Sequence, residues 1–100
     1  MDALEALSDP TRRRVVELLA VGELTAGEIA DHFDHSRPAV SRHLRLLREA
    51  GVVDVRAEGT SRVYSLCRDP LAEAQAWLEQ RLDALDTELR RNRRGRRTAR

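Results

Sequence analysis

Residues Ser36-Arg-Pro-Ala-Val-Ser-Arg-His-Leu-Arg-Leu-Leu-Arg-Glu-Ala-Gly51 read as one capped amphipathic helix. Ser36 supplies an N-cap oxygen, and Gly51 suits the left-handed position just past the C-terminus. Val40, Leu44 and Leu47 recur at helical spacing and turn inward, so Arg37, Pro38, Ser41, Arg42 and Arg45 turn toward solvent. From Ser36 to Arg48 the stretch carries Arg37, Arg42, Arg45 and Arg48 with no Asp or Glu, between Asp34 and Glu49. A local basic island on an outward helix face is the electrostatic footprint of a nucleic-acid reader.

Immediately upstream, Thr25-Ala-Gly-Glu28 has the capping-box pattern and leads into Ile29, Ala30 and Phe33, which predicts a short helix ending near Asp34. Two helices joined by a turn of about three residues make a helix-turn-helix. Further toward the N-terminus, Ser8-Asp9-Pro10 interrupts a first apolar segment marked by Leu4 and Leu7. Asp9 and Pro10 start a helix over residues 10–21, with Val15, Val16, Leu18 and Leu19 at helical spacing and Gly22 as the stop.

Downstream of Gly51 the pattern changes. Val52-Val-Asp-Val-Arg-Ala-Glu58 and Arg62-Val-Tyr-Ser-Leu66 flank Gly59-Thr-Ser61, which predicts a β-hairpin. Asp69-Pro70 repeats the cap-plus-proline start. Leu78, Leu82, Leu85 and Leu89 follow Leu71 at heptad-like intervals, predicting a long terminal helix to about Arg91. Residues 1–92 therefore read as one domain ending in that helix, and residues 93–100, without an apolar side chain large enough to anchor them, as a basic, disordered tail.

A chain of 100 residues has room for a single core. No apolar run approaches the ~20 residues of a membrane span, and the first residues lack the basic and apolar regions of a secretory signal, so a cytoplasmic location is expected. The single Cys67 excludes an internal disulfide. With Phe33, Tyr64 and Trp77 the only aromatics, the core must be aliphatic and light for a monomer, and a dimer would supply further burial. All 18 basic residues are Arg. Residues 1–88 carry eleven Arg against seventeen acids, and residues 89–100 seven Arg and no acid.

Within this framework the outward face of the Ser36–Gly51 helix is the expected DNA contact. Ser41 and Arg42 are placed for base edges, since a guanidinium can bond guanine O6 and N7 together. Arg37, Arg45 and the helix-capping Ser36 suit phosphates. His43 lies at the edge of the buried face and is a weaker DNA candidate. Arg56 and Arg62 flank the hairpin turn, with Arg62 the better placed for the DNA backbone or minor groove and Glu58 near enough to pair with either. Leu4, Leu7, Leu71, Trp77, Leu78, Leu82, Leu85 and Leu89 form the expected dimer interface, because the leucine seam outruns one small domain. His32 and His35 stand one turn apart beside Asp31 and Asp34 without the further arranged ligands of a tight metal site. No nucleophile–base pair or phosphate loop points to an enzyme.

Ala6-Leu-Ser-Asp-Pro-Thr-Arg12, Glu23-Leu24 with Glu28-Ile-Ala30, Val40-Ser-Arg-His-Leu-Arg-Leu-Leu-Arg-Glu-Ala-Gly-Val52 and Tyr64-Ser-Leu66 resemble the ArsR/SmtB family of small dimeric bacterial repressors over residues 3–68. Ser36-Arg-Pro-Ala-Val-Ser-Arg-His-Leu44, followed by Trp77, is most similar to the SdpR-like autorepressor branch. The resemblance implies a mainly α winged helix-turn-helix fold, four helices, a β-hairpin wing and a fifth helix, assembled as a homodimer that reads double-stranded DNA and represses its own operon. It also locates two metal sites to inspect. Thr25 and Gly27 stand where one site has its thiolates, and residues 69–91 contain no His for the other, so no metal and no cofactor are expected. The small-molecule inducer, if the family's mode of release applies, has no signature in the sequence. Two alternatives stand beside this reading: a winged-helix scaffold for protein interaction, and a repressor released by an unidentified ligand.

Overall fold

The computed structural model describes the backbone of residues 1–98 and the side chains of residues 1–93. Four helices precede the hairpin: α1 (Ala3–Ala6), α2 (Pro10–Val21), α3 (Ala26–Ala30) and α4 (Arg37–Glu49). Their starts follow the caps. Asp2, Asp9, Thr25 and Ser36 each accept a hydrogen bond from a backbone N–H in the first turn that follows. At Thr25 the box is reciprocal, with Glu28 N donating to Thr25 Oγ1 at 3.2 Å and Thr25 N to Glu28 Oε1 at 2.9 Å.

The end of α4 is equally local in origin. Gly51 adopts φ +75°, Val52 N donates to Leu47 O at 3.0 Å and Gly51 N to Arg48 O at 2.9 Å, the paired bonds of a Schellman motif. Leu47 and Val52, which the motif brings together, are both fully buried. The α3 helix stops at Ala30, short of the expected Asp34, because His32 N and Phe33 N bond back to Ile29 O and Ala30 O in a tighter turn. The linker to α4 is correspondingly longer than three residues.

β2 (Val53–Glu58) and β3 (Ser61–Leu66) pair antiparallel in register Val53↔Leu66 to Glu58↔Ser61. The loop is therefore the two residues Gly59 and Thr60, with Gly59 at φ +62°, and Ser61 belongs to the strand. A third strand was not legible in the pattern. β1 (Leu24–Thr25) pairs with the other edge of β3, Leu24 opposite Tyr64, giving the order β1-β3-β2 and tying the wing to the start of α3. Ala6, Val15, Leu19, Ile29, Val40, Leu44, Leu47, Val52 and Val53 form one aliphatic core beneath these elements.

α5 spans Arg68–Thr98. It begins one residue before the expected Asp69 and continues past Arg91, through residues 93–98 of the stretch read as a tail; Arg is a good helix former and no Pro interrupts the run. The side chains of residues 94–100 lie outside the described residues. Leu71 and Ala74 pack on the body, and beyond them the helix leaves it. The radius of gyration is 19.2 Å, against about 13 Å for a compact chain of this length. Among the described residues no helix is long and apolar enough to cross a membrane.

Candidate nucleic-acid interface

The candidate surface is assembled from the exposed face of α4 and the wing. Val40, Leu44 and Leu47 face the core, and Arg37, Pro38, Ser41, Arg42, Arg45 and Arg48 are exposed. Ser36 Oγ accepts from Ala39 N at 3.3 Å, so its hydroxyl is engaged in the cap. Arg45 approaches Glu49 at 3.9 Å, a loose exposed pair that leaves the guanidinium available. Arg42 has no carboxylate within ion-pair distance among the described residues.

His43 is placed differently. It turns toward α2, with Nδ1 3.4 Å from Arg12 Nη1 and 3.8 Å from Asp9 Oδ2. Half-buried at the edge of the inward face, its imidazole bears on α2 and braces α4 there. His35 lies beside it, ring centroids 6.4 Å apart, and Thr11 Oγ1 lies 3.2 Å from His35 Nε2. This polar seam fixes the tilt of α4 on α2.

The centre of the seam is Arg12, which sequence reasoning missed. It is only 9% exposed. Its Nε donates to Ala6 O at 2.6 Å, satisfying the last carbonyl of α1, its Nη2 lies 3.4 Å from Glu5 O, which Ser8 already bonds, and Nη1 reaches His43. A signal existed in the Thr-Arg-Arg-Arg14 run, one of whose members must face inward on a helix with Val15 and Leu19 buried. Asp9 is held below the usual carboxylate range mainly by the Arg12 backbone N–H that bonds it, with help from the charges of His43 and Arg12.

The two wing arginines also separate. Arg56 on β2 is bound by Glu23, on the loop after α2, and by Glu58 at 3.0 Å. Those carboxylates, Glu23 first, push its pKa still higher. Arg56 thus holds the wing to the body, and its charge is compensated. Arg62 on β3 is exposed and has no carboxylate within ion-pair distance among the described residues. Glu58 pairs with Arg56, not with Arg62.

Thr25 and Gly27 offer no metal-ligating thiolate. Thr25 Oγ1 is occupied by the capping box and Gly27 has no side chain. Among the described residues no three His, Cys, Asp or Glu side chains converge on a point. Cys67 is half-buried, and burial, then Asp54 and Asp69, push its thiol pKa up, away from a reactive thiolate.

The other expected surface lies on α5. Trp77, Leu78, Leu82, Leu85 and Leu89 each expose 45–59% of their area, while Leu4, Leu7 and Leu71 are half-buried at the root of the helix. Arg81 lies over the Trp77 ring, 4.3 Å from its centroid.

Residues 9–55 match the family described as bacterial regulatory protein, arsR family. The chain is 38% identical over 88 residues to the transcriptional repressor SdpR of Bacillus subtilis, covering 88% of this chain and 98% of that protein. It is 34% identical over 84 residues to the arsenical resistance operon repressor of Staphylococcus xylosus, covering 84% of this chain and 77% of that one. Among solved structures, one described as a possible transcriptional regulator for arsenical resistance superposes with a TM-score of 0.76 at 43% identity, over 88% of this chain and 96% of its own.

Proposed function

This chain belongs to the arsR family of bacterial regulatory proteins and is a DNA-binding transcriptional repressor of that type; from that premise we propose that it acts as a homodimer on an inverted-repeat operator in its own promoter. The observation that carries the reading is the two-sided character of α4, with Val40, Leu44 and Leu47 locked in the core and Ser41, Arg42 and Arg45 exposed on an outer face whose one acid, Glu49 at its C-terminal end, pairs only loosely with Arg45. Ser41 and Arg42 read base edges, Arg37, Arg45 and the Ser36 end of α4 hold phosphates, and Arg62 carries the wing onto the backbone. Repression follows from occupying the promoter.

Dimer formation is supported by the exposed leucine stripe of α5, which nothing among the described residues covers. Pairing through that stripe, with Leu4, Leu7 and Leu71 beside it, sets the two α4 helices about 34–36 Å apart and the half-site centres ~10 bp apart. Neither a metal nor another cofactor enters this mechanism.

Fluorescence anisotropy with the protein's own upstream duplex and a scrambled duplex of equal length tests the proposal. At near-physiological salt, in metal-stripped buffer, a preference of about 10³ or more for the native duplex is expected. Equal weak binding to both overturns it.

A further inference from the structure

We propose that the cleft between the wing turn and the start of α4 is a single phosphate site, in which Arg37 and Arg62 together grip one phosphodiester of the DNA backbone. The inference deepens the DNA-binding reading and rests on it. Sequence spacing placed Arg37 on the outer face of α4 with Arg42 and Arg45, and Arg62 on a separate element. In the structure the two line one cleft of about 390 Å³, together with Thr25 and Gly27 from the start of α3 and Thr60 and Ser61 from the wing.

The Arg37 guanidinium reaches α3: its Nη1 lies 3.8 Å from where a β-carbon on Gly27 would stand, an ordinary contact distance. Neither Arg37 nor Arg62 has a carboxylate within ion-pair distance among the described residues, whereas Arg56 on the neighbouring strand is already bound by Glu23 and Glu58. Glu28, in the helix that Thr25 caps, is turned onto the backbone N–H of Thr25. Two uncompensated guanidiniums with hydroxyls beside them present several converging donors and no free acceptor charge, the chemistry that recognises a phosphate oxyanion.

The geometry also assigns the cleft a role. β1 pairs with β3, and Thr25 ends β1 and caps α3, so the cleft joins wing, α3 and α4. One phosphate seated there bridges the element that reads bases and the element that follows the backbone, and fixes the wing relative to α4.

Two measurements on the full-length protein decide it. The first follows Arg Nε–Hε signals by NMR during titration with inorganic phosphate. Arg37 and Arg62 are expected to shift along one shared isotherm while Arg56 stays still; separate isotherms, or no shift at either, overturn the site. The second measures the salt dependence of DNA affinity for Arg37→Gln, Arg62→Gln and the double variant. Neutralising one phosphate per protomer changes the log–log slope by about 0.9, so the double variant is expected to lose about 1.8 per dimer and to keep its preference for native over scrambled duplex. A loss of about 3.6 means two separate phosphates and overturns sharing. A shared phosphate isotherm with an unchanged DNA slope makes the ligand a free oxyanion and overturns the DNA assignment. Absence of DNA binding by the unaltered protein sinks the parent reading, and the phosphate titration still decides the cleft.

Discussion

Replacing Arg12 with Met removes a charged donor from the junction of α1, α2 and α4 while keeping most of the aliphatic stem. In the folded protein Arg12 Nε supplies the hydrogen bond at 2.6 Å that Ala6 O receives, and Ala6 itself is fully buried. A hydrogen bond to a charged group contributes about 1.5–3 kcal/mol, and a buried acceptor left without a partner costs about 1–3 kcal/mol. Because these two figures overlap, about 3 kcal/mol is the reasonable total. For a domain of this size that lowers Tm by about 12–24 °C. Arg13 provides the control. Its Nη1 also donates to a carbonyl at the C-terminal end of α1, that of the capping Leu7 at 2.9 Å, but in an exposed setting where water can take its place. Arg13→Met should therefore cost less than about 1 kcal/mol. Urea unfolding at one fixed protein concentration, which a dimer requires, gives both numbers. An Arg12→Met variant within about 0.5 kcal/mol of the unaltered protein, or one no worse than Arg13→Met, would show that water satisfies Ala6 O and that the buried-donor reasoning is wrong.

Arg42→Ala is expected to remove about 1–3 kcal/mol of discrimination between native and scrambled duplexes, and an equal loss on both would reassign Arg42 to a phosphate. Asp9 has a depressed pKa in the folded state, so its contribution is present above the unfolded value and is lost as pH falls through the folded one. Asp9→Asn keeps the cap without the charge, and its urea midpoint should fall less between pH 5 and pH 3 than that of the unaltered protein; parallel declines would contradict the linkage. Leu82→Glu on the exposed stripe of α5 removes a side chain whose burial contributes about 1.5–3 kcal/mol in each of two copies, which weakens the dimer by about 10²–10⁴-fold. Sedimentation equilibrium should show monomer with unchanged far-ultraviolet circular dichroism, and an unaltered mass would place the interface elsewhere.

Sequence by itself determined what local chemistry controls. The caps at Asp9, Thr25 and Ser36, the Gly51 terminus of α4, the inward set Val40, Leu44 and Leu47, and the hairpin around Gly59 all rest on interactions within a few residues, so their spacing announces them. The basic island on α4 follows from the same periodicity, as do the leucines of α5. Tertiary structure decided whatever depends on residues distant in the chain. β1 is two residues long and exists because β3 offers it an edge. Arg12 is buried because α1 leaves carbonyls above it, and His43 faces inward because Asp9 and Arg12 stand beneath it. Arg56 and Arg62 look alike along the strand pattern, yet Glu23, 33 residues from Arg56, compensates one and no carboxylate pairs with the other among the described residues. Periodicity gives the face on which a side chain sits, but only the packed fold determines which partner meets it there.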